Sequence, residues 1–255
     1  EDVNDLVDKT INSIDPVYNF TTPDEVTHTI WVMPKEANDI IQFEIEKSEF
    51  LYIADGHHRA ASASRAQKVK MEENPSHTGE EEYNYFMAVL FPAEQLKILP
   101  YNRAVFELNN LTDTAFLEKV KVNFTIEDSV VSSPPKKGQI GMYINKKWYM
   151  LTPNENVVPG EAFGDKLDVS LLQKFLLEPV LNIVDPRTDN NIDFIGGIRG
   201  TEELEKIVNS GAAKVAFSMY PVSVEDLINI SDAGETMPPK STWFEPKLRD
   251  GLVVH

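Results

Sequence analysis

The sequence predicts an α/β or α+β fold in which a mixed β-sheet is covered by helices. Three observations lead there. Stretches with an apolar residue every three or four positions alternate along the chain with short β-branched and aromatic runs. Glycine and proline signals separate many of these stretches. Hydrophobic residues make up 42% and charged residues 25% of the 255 positions, the balance of a chain that buries a core.

Taken in order, Val3, Leu6, Val7, Ile11 and Ile14 share one helical face. The pattern begins with no initiator methionine and no capping loop, so the chain is expected to be the C-terminal part of a longer protein. Asp15-Pro16 and Thr22-Pro23 mark a loop, and residues 27–33 are β-branched and aromatic enough for a strand. Residues 38–47 start as a helix. Phe50-Leu51-Tyr52-Ile53 is expected to be a short buried strand that runs through Asp55-Gly56 into a helix over 57–73. Residues 73–84, with Pro75, Gly79 and Glu80-Glu81-Glu82, read as a solvated connection, and residues 85–91 as a second buried strand.

A strand over 101–108 precedes a helix over 112–122, with Thr112 as its cap and Leu111, Ala115, Phe116, Leu117 and Val120 toward the core. Residues 132–138 (SSPPKKG) look like a linker, and 139–151 alternates around Asn145-Lys146-Lys147 as a hairpin does. Residues 168–181 form an amphipathic helix with Val169, Leu172, Phe175, Leu176 and Val180 inward. A strand over 192–195, a helix over 201–209, a strand over 214–219 and a helix over 224–231 complete the alternation.

The formal charge is -17, from 41 acidic and 24 basic residues, and such a surface repels the phosphate backbone that dominates nucleic-acid affinity. Nucleic acid is therefore not an expected partner. The absence of cysteine excludes disulfides and thiolate zinc sites, and five histidines without an HExxH pair offer little for a histidine metal centre. No apolar run approaches the roughly 20 residues of a membrane helix, and the Glu1-Asp2 start is acidic where a signal peptide is basic. A cytoplasmic protein without a membrane partner is expected.

Asp55-Gly56-His57-His58-Arg59 is the strongest site signal. Gly56 permits positive φ and close backbone approach, and the next residues present N–H groups at a helix N-terminus, a natural seat for an anion. His57, His58 and Arg59 add donors and positive charge, which oppose the helix dipole unless an anion compensates them. Asp55 could hold a metal ion or accept a proton. The plainer reading makes Asp55 a helix cap and the histidines partly buried polar residues.

Residues 233–247 (AGETMPPKSTWFEPK) hold a second candidate, Lys240, Ser241 and Thr242. The glycines of a GxxxxGK phosphate loop are missing, so that motif is rejected. Either this is an ordered tail, or its ammonium and two hydroxyls complete a phosphate site from a loop. Ile195-Gly196-Gly197-Ile198-Arg199-Gly200-Thr201 sits between a strand and a helix, but its spacing is not GxGxxG and a structural connection is the commoner explanation.

Pro16-Val17-Tyr18, His28-Thr29-Ile30-Trp31, Ala54-Asp55-Gly56-His57-His58-Arg59-Ala60, Tyr101-Asn102-Arg103 and residues 232–248 together resemble the DUF1015 family over essentially the whole chain. Its members look similar to archaeal free-serine kinases with a ParB/sulfiredoxin-like fold. A phosphate-binding region over 1–131 and a C-terminal α/β region over 132–255 that returns to the site are expected, with a single domain as the open alternative, since 255 residues fit one large domain or two smaller ones. The resemblance implies ADP or ATP with Mg²⁺ as cofactors, L-serine or a similar small hydroxyl metabolite as substrate, and phosphoryl transfer to that hydroxyl. By the same resemblance Asp55, Gly56, His57, His58 and Arg59 meet the nucleotide phosphates. The kinases take their catalytic glutamate from a segment expected to lie upstream of this chain, so no residue here receives that role. A non-catalytic nucleotide- or metabolite-binding regulator on the same fold is the competing expectation.

Overall fold

The structure is a computed structural model and describes residues 3–254. The chain divides into two compact units, one formed by Glu1–Ala88 with Leu248–His255 and the other by Val89–Lys247. The linker-like residues 132–138 lie inside the second unit.

The first unit carries helix α1 (Val3–Ser13), strands β1 (Tyr18–Thr21) and β2 (Thr27–Ile30), and helices α2 (Ala37–Glu46) and α3 (His57–Glu73). β1 and β2 form an antiparallel hairpin with Tyr18 opposite Ile30 and Thr21 opposite Thr27. Within the stretch between the two proline signals, which reads as loop, Asn19 and Phe20 thus pair with Thr29 and His28. Leu6 and Ala37 are the buried apolar side chains of this unit among the described residues, and α3 buries none.

Two expected strands are corrected here. Residues 50–53 and 85–91 are not strands. Phe50 is 66% and Phe86 59% exposed, and Leu51, Tyr52, Ile53, Tyr85 and Met87 are exposed as well. Aromatic and β-branched character becomes a buried strand when a neighbouring strand supplies the hydrogen-bond ladder and a packed face. Among the described residues no strand pairs with either run.

The second unit is built on a six-stranded sheet of β4 (Tyr101–Val105), β5 (Phe124–Asp128), β6 (Ile140–Ile144), β7 (Lys147–Pro153), β8 (Ile192–Gly196) and β9 (Val215–Met219). The strand order is β5-β7-β6-β9-β4-β8, and every pairing is antiparallel. A separate two-stranded pair joins β3 (Lys97–Leu99) to β10 (Trp243–Glu245). The β6–β7 hairpin turns through Asn145 and Lys146 at φ 54° and 61°, the paired left-handed conformations that match the twist of a two-residue hairpin.

Side chains alternate across the sheet because successive residues of a strand point to opposite faces. Val105, Ile140, Met142, Val215 and Phe217 pack on one face with helix α4 (Asp113–Val120), the helical stretch over 168–181 and helix α8 (Val224–Asp232). Ala104, Tyr143 and Ala216 face the other way, toward Leu204 of helix α7 (Glu202–Asn209). Thr112 caps α4 as expected, its hydroxyl accepting the Ala115 N–H at 3.2 Å.

The stretch over 168–181 is continuous but not uniform. It runs as α5 (Asp168–Leu172), a π turn (Gln173–Leu177) and α6 (Glu178–Leu181). Pro179 has no N–H to give the Phe175 carbonyl four residues back, and a local widening accommodates such a residue. Val169, Leu172, Leu176 and Val180 are buried, the face that the sequence pattern marks.

Candidate functional site

Helix α3 begins where the sequence places it. Gly56 is its N-cap in the left-handed region, at φ 87° and ψ 24°. That conformation suits a residue without a Cβ. The Asp55 carboxylate accepts the Gly56 N–H at 2.7 Å, which braces the turn. The first helical bond runs from the Ala60 N–H to the Gly56 carbonyl at 2.9 Å. The amides of His57, His58 and Arg59 therefore precede the ladder and lack an i−4 carbonyl.

All three side chains are exposed, where the plainer reading expects the histidines to be partly buried. The Arg59 guanidinium turns back over the cap, with Nη2 3.0 Å and Nε 3.1 Å from where a Cβ on Gly56 would sit. Backbone amides, two imidazoles and a guanidinium thus gather at an accessible helix start, a donor set suited to phosphate or carboxylate oxygens. This helix start follows an irregular segment rather than a strand. Among the described residues no group of three or more His, Asp or Glu side chains is arranged to hold a metal ion.

Lys240, Ser241 and Thr242 belong to the second unit and are described there. Lys240 is exposed and left-handed at φ 53°, with Nζ 5.3 Å from the centre of the Tyr101 ring. The Tyr101 ring meets Trp243 edge-on at 5.3 Å. Ser241 is buried, and its hydroxyl donates to the Pro238 carbonyl at 2.7 Å, closing the turn. Thr242 is half-buried.

Sequence reasoning gave no role to Arg103, which the structure ties to this turn. The residue is 3% exposed on β4, its Nη2 donates to the Lys240 carbonyl at 3.2 Å, and its Nη1 donates to the Tyr101 carbonyl. Burial pulls its pKa down to about 9. An arginine within an apolar strand is the signal that could have drawn attention to it.

The glycine-rich stretch after β8 is explained by packing. A Cβ on Gly196 would stand 2.5 Å from the Trp243 ring, and the Gly197 N–H donates to the Pro100 carbonyl at 2.8 Å. A cavity of about 510 Å³ in the second unit, lined in part by Glu107, Asn110, Asn182 and Lys214, contains none of the expected site residues.

Similarity to known proteins was found at two levels. Among solved structures, a free serine kinase in complex with AMP aligns at a TM-score of 0.41 and 15% identity, over 84% of this chain and 81% of that one. A mutant free serine kinase in complex with ADP aligns at 0.39 and 16% identity over the same shares. A conserved hypothetical protein from Pyrococcus furiosus aligns at 0.39 and 15% identity, over 82% of each chain. No curated protein matches. Among the described residues no helix is long and apolar enough to cross a membrane. The model of a family described as a protein of unknown function matches residues 1–170, and the chain accordingly belongs to the DUF1015 family.

Proposed function

We propose that this protein binds a nucleotide through the start of α3 and transfers a phosphoryl group to a small hydroxyl-bearing metabolite such as L-serine. The observation that carries the proposal is the left-handed Gly56 followed at once by three exposed basic side chains whose amides precede the helical ladder. In a chain of net charge -17, such a concentration of donors favours a polyanion with phosphate oxygens. The resemblance of Ala54–Ala60 to the corresponding segment of free-serine kinases supplies the reaction class.

In this reading Gly56 and the amides after it seat the phosphates, and His57, His58 and Arg59 neutralise their charge. Asp55 is the carboxylate assigned to Mg²⁺. A magnesium ion bound by one or two carboxylates plus phosphate oxygens needs no larger protein cage. Lys240 and Thr242 are assigned to a second anion-binding element on the other unit.

Calorimetric titration with ADP and ATP tests the binding step. Arg59→Ala and His57→Ala are each expected to weaken nucleotide binding about tenfold while the helical signal is retained. Unaltered affinity in both variants would overturn the assignment. Formation of O-phosphoserine from ATP and L-serine then separates a kinase from a regulator, because binding without product over a long incubation is the regulator's result.

A further inference from the structure

Among the described residues Arg103 is a buried cation without a counter-ion. It sits on β4 opposite Phe194 of β8 and Phe217 of β9, and its guanidinium lies 5.4 Å from the centre of the Phe194 ring. Its two hydrogen-bond acceptors are main-chain carbonyls, those of Tyr101 and Lys240. Among the described residues neither Arg103 nor Lys240 has a carboxylate within ion-pair distance, although the chain carries 41 acidic residues. An arginine buried without an anion is unfavourable, and a sequence rich in carboxylates could readily have supplied one.

The same guanidinium holds the turn that bears the second candidate site. Lys240 is fixed in a left-handed conformation between the Arg103 bond to its carbonyl and the Ser241 hydroxyl bond to Pro238. Its ammonium rests over Tyr101 instead of a carboxylate. Thr242 follows with its side chain half in solvent. Ser241 is consumed by the turn, so the groups left for a ligand are the Lys240 ammonium and the Thr242 hydroxyl.

We propose that Arg103 is a positioning residue that makes Lys240 and Thr242 a site for the phosphate or carboxylate of a small anionic ligand. It does so by orienting the Lys240 backbone and by lending uncompensated positive potential from beneath. This rests on the reading of Lys240 and Thr242 as ligand-binding. The low proton affinity that burial gives the guanidinium accords with the missing counter-ion.

The test uses the whole chain, inorganic phosphate and acetate as probes, and the variants Lys240→Met, Arg103→Lys and Arg103→Gln. Lys240→Met is expected to lower anion affinity about tenfold, and Arg103→Lys to lower it at least about fivefold. Selective acetylation of Lys240, followed by mass spectrometry, is expected to change rate in Arg103→Lys. A purely packing role would leave that rate as it is. Arg103→Gln keeps an amide donor for a carbonyl without burying charge, and replaces the lysine variant if the latter does not fold. Weakening in Lys240→Met of phosphate binding alone marks a phosphate site and weakening of acetate binding marks a carboxylate site, and either supports the proposal. Binding unchanged in Lys240→Met overturns the reading of the site itself. Binding weakened in Lys240→Met, but neither binding nor acetylation altered by the Arg103 variants, overturns the role of Arg103 alone.

Discussion

The Asn123 side-chain amide donates to the Phe175 carbonyl at 2.9 Å, and this is the carbonyl that Pro179 cannot reach with an N–H of its own. A side chain from the loop before β5 thus meets a carbonyl to which position 179 offers no N–H. Asn123→Ala is expected to destabilise the second unit by about 1–2 kcal/mol in denaturant melts. Pro179→Ala restores an N–H at that point, so the double variant should lose less than Asn123→Ala loses alone. Additive losses would show that the two residues do not share the carbonyl.

Asp168 gives a pH signature. Its carboxylate oxygens accept the Gly138 N–H at 2.9 and 3.1 Å, while burial pushes its pKa up to about 6 against the opposing effects of that bond and of Lys137. A raised carboxyl pKa means that the folded state holds the proton more tightly than the unfolded chain. Its contribution is therefore complete below the unfolded value near 4 and is lost as pH rises through about 6. Denaturant melts between pH 4 and 7 should show a decline on the order of 2 kcal/mol that Asp168→Asn removes. An identical decline in the variant would assign the effect to other groups.

Gly196→Ala would set a methyl group 2.5 Å from Trp243, so ring or strand must move. A loss of about 1–3 kcal/mol is expected, with a shift in tryptophan emission as the readout. Gly196 lies at φ -58°, a conformation open to any residue, so the contact with the ring and not backbone strain carries the loss.

Glu81 is gripped by the loop that precedes it. The Thr78 N–H at 2.8 Å and the Gly79 N–H at 3.0 Å point at its carboxylate, and with the Thr78 hydroxyl they hold its pKa down to about 2. A depressed carboxyl pKa contributes order above the unfolded value and loses it as pH falls through the folded one. Amide exchange at Thr78 and Gly79 should therefore stay slow at neutral pH, quicken relative to intrinsic rates toward pH 2, and be fast throughout in Glu81→Gln. Equal protection in variant and parent at neutral pH would contradict this.

Much of the second unit is legible from the sequence because its signals are local. The Asn145-Lys146 hairpin, the Thr112 cap and the inward face of 168–181 each depend on residues a few positions apart. Residues 50–53 and 85–91 failed as buried strands because their sequence records affinity for a sheet and cannot record whether a partner strand is present. The three glutamates of 80–82 look alike in sequence, and the bonds that Thr78 and Gly79 donate to Glu81 are visible in the fold alone. At the sites, the helix start at Gly56 is legible because its donors are consecutive. Arg103 is not, since its meaning comes from the Lys240 carbonyl 137 positions away.

The first unit buries few apolar side chains, Leu6 and Ala37 among those described, while its helix α3 presents the Gly56 cap to solvent. Such a region relies on backbone bonds and polar networks, such as the one around Glu81, more than on an apolar core, and regions with few buried apolar contacts open at lower energy. An anion caught at Gly56 would then act as a ligand and also as a fastener, tightening the turn that receives it. Affinity at this corner would be set as much by how much loose chain must settle as by the number of donors that meet the guest.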